Sequence, residues 1–202
     1  MQVSFSAWII GFQENRVMDL FQISNLTQAP IVKINLWIRE AMTKNVFLPH
    51  AMSLSTVGLS GQPSSRMVLL KGLFNEGIVF FTDYSSQKGI EIENNTKAAL
   101  NFWWAQTEKQ IRIEGNCSKT TLEESNNYFQ SRPRKSQVSA YVSLQSEEIK
   151  SYEHLLKKAQ EFEEKNSEKI VERPERWGGY ILEPNKIEFW QNKPNRLHLR
   201  EL

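Results

Sequence analysis

The chain has 202 residues, of which 40% are hydrophobic, and this is enough for one domain with a sizeable core. Its 25 basic and 23 acidic residues leave a net charge of +2, which predicts no general affinity for nucleic acid or membranes. The single cysteine, Cys117, excludes an intrachain disulfide, and we interpret it as an inert strand residue in a reducing compartment. Residues 1–12 lack a basic signal-peptide start and are too short to cross a bilayer, so we expect a soluble cytoplasmic protein.

The first predicted element is a helix that follows Pro30, because Ile34, Trp37, Ile38 and Ala41 are spaced as one helical face. After it the pattern changes to short runs rich in Val, Leu, Phe or Thr, separated by Gly, Pro or Asn. Such spacing is typical of an antiparallel meander. The expected strands are 51–58, 65–71 and 78–83.

The second half of the chain mixes strands and helices. Ser85 and Ser86 are suited to cap a short helix. The expected elements are a helix over 87–94, strands at 98–104 and 109–118, helices over 121–131 and roughly 135–165 divided by Pro133, and strands at 178–183 and 186–191 joined by Pro184-Asn185. Together these elements predict an α+β, mainly β fold, with a central barrel or sandwich and flanking helices.

Near the end of the chain, Arg196, His198 and Arg200 occupy alternate positions. In a strand, alternate side chains lie on the same face, so the pattern predicts a site with three such groups on one face. The alternative is an edge strand with solvated cations. Trp190 lies just before this segment and differs in that respect from the other five tryptophans, which we interpret as core residues.

Three other segments carry groups suited to anions. Arg66 and Lys71 flank an apolar run and are expected on opposite faces of a strand, where solvated charges are the favoured alternative. The strand-to-helix junction at 82–88 offers backbone N–H groups, hydroxyls and a lysine that suit a phosphate, and an ordinary capped helix explains it equally well.

The segment 128–137 is the third of these, and here binding is favoured over a solvated basic turn. Tyr128, Arg132 and Ser136 recur every four residues, and a phosphate is recognised by such hydroxyl and guanidinium groups. The three histidines are far apart, so no metal site is predicted. Since no glycine-rich dinucleotide loop is present either, an enzyme of this sequence would depend on a bound organic cofactor.

Taken together, these segments resemble the pyridoxine (pyridoxamine) 5′-phosphate oxidase family. The motifs occur in the family's order, with closely matching spacing, over about residues 50–200. They are Arg66-Met-Val-Leu-Leu-Lys71, Gln110, Tyr128-Phe-Gln-Ser-Arg-Pro-Arg134, Ser136-Gln137, Gln145-Ser146, Trp177-Gly-Gly179, Ile187-Glu-Phe-Trp-Gln191 and Asn195-Arg-Leu-His198.

The resemblance implies an FMN-binding split β-barrel, with antiparallel, Greek-key-like topology, that forms a homodimer with FMN at the subunit interface. It also implies the oxidation of pyridoxine 5′-phosphate or pyridoxamine 5′-phosphate to pyridoxal 5′-phosphate, with molecular oxygen reduced to hydrogen peroxide. No metal, nucleic acid or membrane partner is implied.

The resemblance further implies the site residues. FMN would be held by Arg66, Met67, Val68, Leu69, Leu70, Lys71, Phe81, Thr82, Lys88, Gln110, Gln145, Ser146, Trp190 and Arg200. Substrate would be bound by Lys71, Tyr128, Arg132, Ser136, Arg196, Leu197 and His198, of which Arg196 and His198 would be catalytic.

The sequence departs from the family pattern at several points. Gln87 stands where the family usually has an arginine, and Leu199 replaces the usual aspartate. We expect a single domain over 31–202 that lacks the family's last strand, with residues 1–30 unassigned. These departures keep two alternatives open: a flavin- or pyridoxal-phosphate-binding relative without turnover, and a split-barrel flavin reductase with another substrate.

Overall fold

The structure, a computed structural model, describes residues 21–23, 26–167 and 169–202. Most of the unassigned segment 1–30 therefore lies outside the described residues. The helices are α1 (Ala29–Thr43), α2 (Gln87–Asn94), α3 (Leu122–Ser131), α4 (Arg134–Val142) and α5 (Tyr152–Asn166). The strands are β1 (Gln22–Ile23), β2 (Ala51–Val57), β3 (Pro63–Leu69), β4 (Gly72–Leu73), β5 (Ile78–Asp83), β6 (Lys97–Trp104), β7 (Lys109–Lys119), β8 (Trp177–Gln191) and β9 (Leu199–Glu201).

Helices α1, α2 and α3 begin at residues that favour a helix start. Pro30 stands in the first turn of α1, where its missing N–H has no cost. Ser86 caps α2, and its side chain accepts a hydrogen bond from Gly89 N, as expected for that residue. Thr121 and Glu124 form a capping box at the start of α3. The predictions for these helix starts are confirmed to within two residues.

The strands of the described residues form one curled, mixed sheet. Its order is β1-β4-β5-β8-β7-β6-β2-β3, with β9 added to β8. All neighbouring pairs are antiparallel except β1 with β4. The sheet curls far enough for β3 to contact β5, although the two strands are not hydrogen-bonded neighbours.

The curl encloses the main hydrophobic core. Inward side chains of the strands, such as Leu54, Phe80 and Ile111, are fully buried and pack against the apolar face of α1. The predicted α1 face is confirmed, since Ile34 and Ile38 are both fully buried. A smaller apolar cluster, formed by Phe129, Val138, Val171 and Trp177, holds the helical layer to β8. The helical layer is therefore packed against the sheet through this second apolar cluster.

The predicted meander is confirmed for the hairpin of β2 and β3 and is corrected in its pairing of β5. The strand predicted at 65–71 ends at Leu69, and Lys71 lies outside it, with its N–H donating to Val79 O. The turn predicted at 75–77 is present, but it joins β5 to the short strand β4 and not to β3. The other edge of β5 pairs with β8, almost a hundred residues later in the chain. Pairings between segments so far apart depend on which apolar faces the core buries, and local spacing carries no information about them.

Two other element predictions are corrected. The two strands predicted at 178–183 and 186–191 are one continuous strand, β8. Pro184-Asn185 does not form a turn; it lies where the pairing of β8 with β7 shifts register, opposite Glu114 and Gly115. The helix predicted over 135–165 is two helices, because residues 143–151 leave the helical conformation. Ser151 caps α5, because its side chain accepts a hydrogen bond from His154 N. A serine that caps a helix in this way has a non-helical backbone, so a continuous helix cannot pass through it.

Two negative findings hold for the described part of the chain. None of its helices is long and apolar enough to cross a bilayer. No group of three or more metal-ligating side chains occurs among those residues. Cys117 is buried in β7, and this burial raises the pKa of its thiol to about 12, so the thiol is unreactive at neutral pH.

Candidate active site

A cleft of about 360 Å³ opens between the curled sheet and the helical layer, a volume typical of small-molecule sites. Strands β3, β5 and β8 form one side, and α2, α3, α4 and the segment after α4 form the other. The lining residues are Met67, Val68, Leu69, Lys71, Phe81, Thr82, Asp83, Lys88, Tyr128, Arg132, Ser139, Ala140, Ser143, Gln145 and Trp177. Ten of these were assigned to the site from the sequence.

One wall of the cleft is a stack of aromatic rings. The Phe81 ring lies 4.0 Å from that of Tyr128 and 5.5 Å from that of Trp177, with interplanar angles of 24° and 13°. The guanidinium carbon of Arg132 lies 4.6 Å from the centre of the Trp177 ring. This contact holds the planar guanidinium against an aromatic face and fixes its orientation.

Arg132 and Lys71 bring positive charge to the same part of the cleft. Burial lowers the pKa of each group, and the charge of Arg132 lowers the pKa of Lys71 further. Arg132 Nη1 is buried and has no hydrogen-bond partner among the described residues. A buried donor without a partner costs about 1–3 kcal/mol, so this group is suited to an anionic ligand.

Tyr128 completes this end of the cleft. Burial raises the pKa of its phenol to about 12, against a smaller opposing effect from Arg132. The phenol therefore stays protonated at neutral pH and can donate a hydrogen bond. A hydroxyl donor beside two cations matches the oxygen-rich surface of a phosphate.

The other end of the cleft is built around the start of α2. Lys88 Nζ donates to Ser86 Oγ at 3.0 Å and to Gln145 Oε1 at 2.9 Å, and Thr82 Oγ1 donates to the same Gln145 oxygen at 2.8 Å. Burial and then the charge of Arg66 lower the pKa of Lys88 to about 8, against the opposing influence of two carboxylates. A helix N-terminus with a lysine and hydroxyls forms a second anion-binding environment.

Asp83 is the acidic residue of the cleft wall, and it is already engaged. Its Oδ2 lies 3.0 Å from Arg176 Nε, and its Oδ1 accepts from Ser85 N at 2.8 Å. Arg176 also donates to the carbonyls of Ala140 and Tyr141 at the end of α4. The pair thus fastens α4 to the sheet and leaves the cationic groups dominant in the cleft.

A second group of residues lies on the outer face of the sheet: the predicted site residues Gln110, Trp190 and Arg200, together with Trp103, which was expected in the core but is exposed. Trp103, Gln110, Trp190 and Arg200 stand directly opposite one another across β6, β7, β8 and β9, so they share one face. The His198 ring lies 4.6 Å from that of Trp190. None of these residues lines the cleft.

The prediction that Arg196, His198 and Arg200 share a strand face is wrong. Residues Pro194–Arg196 form a 3₁₀ turn, and Asn195 and Arg196 have positive φ values of 59° and 61°. Pro194 cannot donate a ladder hydrogen bond, and the strand resumes only at Leu199. Arg196 and Leu197 are exposed and lie outside the cleft lining.

The remaining predicted residues lie beside the cleft. Leu70 is fully buried in the main core, and Arg66 pairs with Glu91 behind the lining. Ser146 Oγ accepts from Gln87 N at 3.2 Å. Ser136 lies in the first turn of α4, outside the lining.

Sequence reasoning missed part of the cleft wall. The missed residues are Asp83, Ser139, Ala140, Ser143 and Trp177. Trp177 belongs to a motif that carried the resemblance and was available as a signal. The two serines carried none, because their inward placement depends on how α4 packs against the sheet.

The chain is similar in sequence to a known protein family. The family described as pyridoxamine 5′-phosphate oxidase matches residues 38–166. The pyridoxine 5′-phosphate oxidase C-terminal dimerisation region matches residues 177–202. The pyridoxine/pyridoxamine 5′-phosphate oxidase of Thermosynechococcus vestitus is 48% identical over 88% of this chain and 83% of its own length. That of Leptospira biflexa is 50% identical over 85% of this chain and 81% of its own.

Solved structures are similar as well. PhzG from Burkholderia lata, solved with tetrahydrophenazine-1-carboxylic acid, superposes with a TM-score of 0.81 at 30% identity, covering 87% of this chain and 86% of its own. A pyridoxamine 5′-phosphate oxidase-related, FMN-binding protein from Nostoc punctiforme gives 0.64 at 14% identity, covering 87% and 98%. These likenesses confirm the predicted split-barrel fold. The chain therefore belongs to the pyridoxine/pyridoxamine 5′-phosphate oxidase family.

Proposed function

We propose that this protein is an FMN-dependent oxidase that converts pyridoxine 5′-phosphate or pyridoxamine 5′-phosphate into pyridoxal 5′-phosphate, with molecular oxygen reduced to hydrogen peroxide. The observation that carries the proposal is the buried, unpartnered Arg132 Nη1, which lies in a cleft shared with Lys71 and Tyr128. The curated relatives carry the name of this activity. A cytoplasmic location stays a prediction.

The end of the cleft at α2 is suited to the phosphate of FMN. Lys88 supplies a positive charge, Thr82 a hydroxyl and α2 its N-terminus, all within one hydrogen-bonded group with Gln145. The donor set matches a phosphate dianion, so the residues fit the cofactor. When bound, FMN supplies the chemistry of accepting a hydride from substrate and passing electrons to oxygen.

The other end is suited to the phosphate of the substrate. Arg132, Lys71 and Tyr128 would bind it, and each charge-assisted hydrogen bond contributes roughly 1.5–3 kcal/mol. The aromatic wall of Phe81 and Trp177 would exclude water and orient a flat ring. Two phosphorylated ligands need two cationic environments, and the cleft has one at each end.

We also propose that the protein works as a homodimer with FMN at the subunit interface. The segment 177–202 matches a dimerisation region, and it includes Trp190, Arg200 and His198. Arg196 and His198 lie outside the cleft of their own subunit and would reach the cleft of the partner. There Arg196 would align the substrate carbon that loses hydride, with His198 beside it.

The test uses the purified protein. Its absorption spectrum reports bound flavin, and light scattering reports its mass in solution. Addition of pyridoxine 5′-phosphate or pyridoxamine 5′-phosphate under air should yield peroxide and the absorbance of pyridoxal 5′-phosphate. A flavin-loaded dimer that gives no peroxide with either substrate would contradict the oxidase proposal and indicate a binding protein without turnover.

A further inference from the structure

The carboxylate of Glu91 lies near Lys88, behind the end of the cleft at α2. It is buried, with only 8% of the residue exposed. Its two oxygens accept hydrogen bonds from four side chains on β2, β3 and α2. The donors are Thr56 Oγ1 at 2.5 Å, Ser64 Oγ at 2.7 Å, Gln87 Nε2 at 2.9 Å and Arg66 Nη2 at 3.1 Å. A buried carboxylate with this many donors is held in one position.

This carboxylate is a permanent anion. Burial alone would raise the pKa of Glu91, but the four hydrogen bonds together lower it to about 2. Glu91 is therefore charged at neutral pH, where a flavin phosphate is also an anion. A fixed negative charge beside a phosphate-binding environment opposes the binding of that phosphate.

Arg66 is the cation that Glu91 most directly engages. Its Nη2 is shared between Glu91 and Ser64 Oγ, and its Nη1 donates to Thr56 Oγ1 and to the carbonyl of Leu54. The ion pair is largely buried, with side-chain exposures of 19% and 10%. Both terminal nitrogens are thus occupied by protein acceptors, and the positive charge is balanced by Glu91.

We propose that Glu91 is an internal counter-anion that competes with the FMN phosphate for Arg66, and that it thereby sets how tightly this chain binds FMN. The phosphate would draw the Arg66 guanidinium away from Glu91 toward Lys88. This inference rests on the proposed function, because it takes the FMN phosphate to bind at that end of the cleft. Gln87, a neutral residue, donates to Glu91 without neutralising its charge.

The first experiment compares FMN with riboflavin, which lacks the phosphate. Apo-protein is titrated with each flavin, and quenching of flavin fluorescence gives the Kd. Glu91→Gln removes the charge but keeps the size and one acceptor oxygen. It should lower the Kd for FMN by about tenfold and leave the Kd for riboflavin unchanged.

Glu93→Gln is the matched control, because it makes the same charge change on the same helix. Glu93 is exposed and pairs with Lys119 on the surface, so neither Kd should change. An unchanged or higher FMN Kd in folded Glu91→Gln protein would overturn the inference. If riboflavin binding tightens equally, the effect is not on the phosphate, and the inference is also wrong.

A second measurement needs no variant. In a crystal structure of the wild-type protein with FMN, the Arg66–Glu91 ion pair should be open, with Arg66 on the phosphate; with riboflavin it should stay closed. An intact pair in the FMN complex would overturn the inference even if Glu91→Gln does not fold. If wild-type protein binds neither flavin, the proposed function itself fails. That outcome differs from one in which FMN binds but its Kd does not depend on Glu91, which overturns only this inference.

Discussion

Lys88 Nζ lies 2.9 Å from Gln145 Oε1 and so joins the start of α2 to the segment that follows α4. The two residues are 57 positions apart in the chain. Their contact closes one end of the cleft and holds the lysine at the site proposed for the FMN phosphate. Because the acceptor is a neutral amide, the positive charge of Lys88 stays available to an anion.

The affinity for FMN should depend on the protonation of Lys88. Its pKa in the free protein is lowered to about 8, first by burial and then by Arg66. A phosphate binds the charged amine, so the FMN Kd should begin to rise as pH increases past that value, by up to about tenfold per pH unit. Flavin fluorescence titrations across this range measure the change.

Riboflavin provides the control for that titration, since its Kd should not follow the Lys88 ionisation. Lys88→Arg should move the loss of FMN affinity to higher pH, because a guanidinium keeps its proton. An FMN Kd that stays constant well above pH 8 would show that Lys88 does not bind the phosphate.

Arg132→Ala should impair substrate binding and leave FMN binding intact. The guanidinium has an unpartnered buried donor, and a charge-assisted hydrogen bond is worth roughly 1.5–3 kcal/mol, or about tenfold to a hundredfold in KM for pyridoxine 5′-phosphate. Steady-state peroxide production gives KM. Lys135→Ala, an exposed cation nearby, is the control and should leave KM unchanged. Equal KM values for wild type and Arg132→Ala would remove Arg132 from the site.

Arg196→Leu should lower turnover while the flavin spectrum and the dimer persist. The side chain is exposed in its own subunit, so its loss should have little effect on folding. Arg196→Lys, which keeps the charge, should restore part of the rate. The readout is the peroxide production rate at saturating substrate. An unchanged rate in Arg196→Leu would show that the alignment role is wrong.

His50 should make the protein sensitive to acid. Burial, followed by the charge of Lys71, lowers its pKa from 6.5 to about 4, so the folded state keeps the imidazole neutral. Between these two values the unfolded state binds more protons, and stability therefore falls as the pH decreases through that window. The expected loss is roughly 2 kcal/mol between about pH 7 and about pH 5.

Urea unfolding at the two pH values measures that loss. His50→Asn has no ionisable group, so its unfolding free energy should change by about 2 kcal/mol less over the same interval. If both proteins lose the same stability, the acid sensitivity arises elsewhere.

Gly115→Ala should destabilise the sheet at the irregularity between β7 and β8. A Cβ at this position would lie 2.1 Å from Glu183 O, so the backbone must shift, at a cost of about 1–3 kcal/mol. Gly58→Ala is the control, since its Cβ would meet nothing closer than 3.7 Å. Thermal unfolding followed by circular dichroism should show a lower Tm only for Gly115→Ala.

Local features of the fold could be predicted from the sequence because their causes are local. The buried face of α1 follows from apolar spacing, and the start of α2 follows from the capping ability of Ser86. Strand β5 was predicted with its observed bounds of Ile78–Asp83. In each case residues only a few positions apart in the sequence decide the conformation.

Part of the candidate site could also be predicted from the sequence. Residue type and spacing favoured phosphate binding for Tyr128, Arg132 and Ser136, and left Lys88 open between phosphate binding and an ordinary helix cap. The structure places Tyr128, Arg132 and Lys88 in one cleft and Ser136 outside its lining. The motif order assigned the family, and the comparisons confirm it.

The sequence alone thus determined the local elements, the family and the kinds of group in the site. Only the tertiary structure decided that β5 pairs with β8, that Gln145 closes the cleft beside Lys88, and that Arg196 leaves the strand. It also decided that Glu91 neutralises Arg66. These outcomes depend on burial and pairing between residues far apart in the chain, which short-range spacing and propensity do not encode.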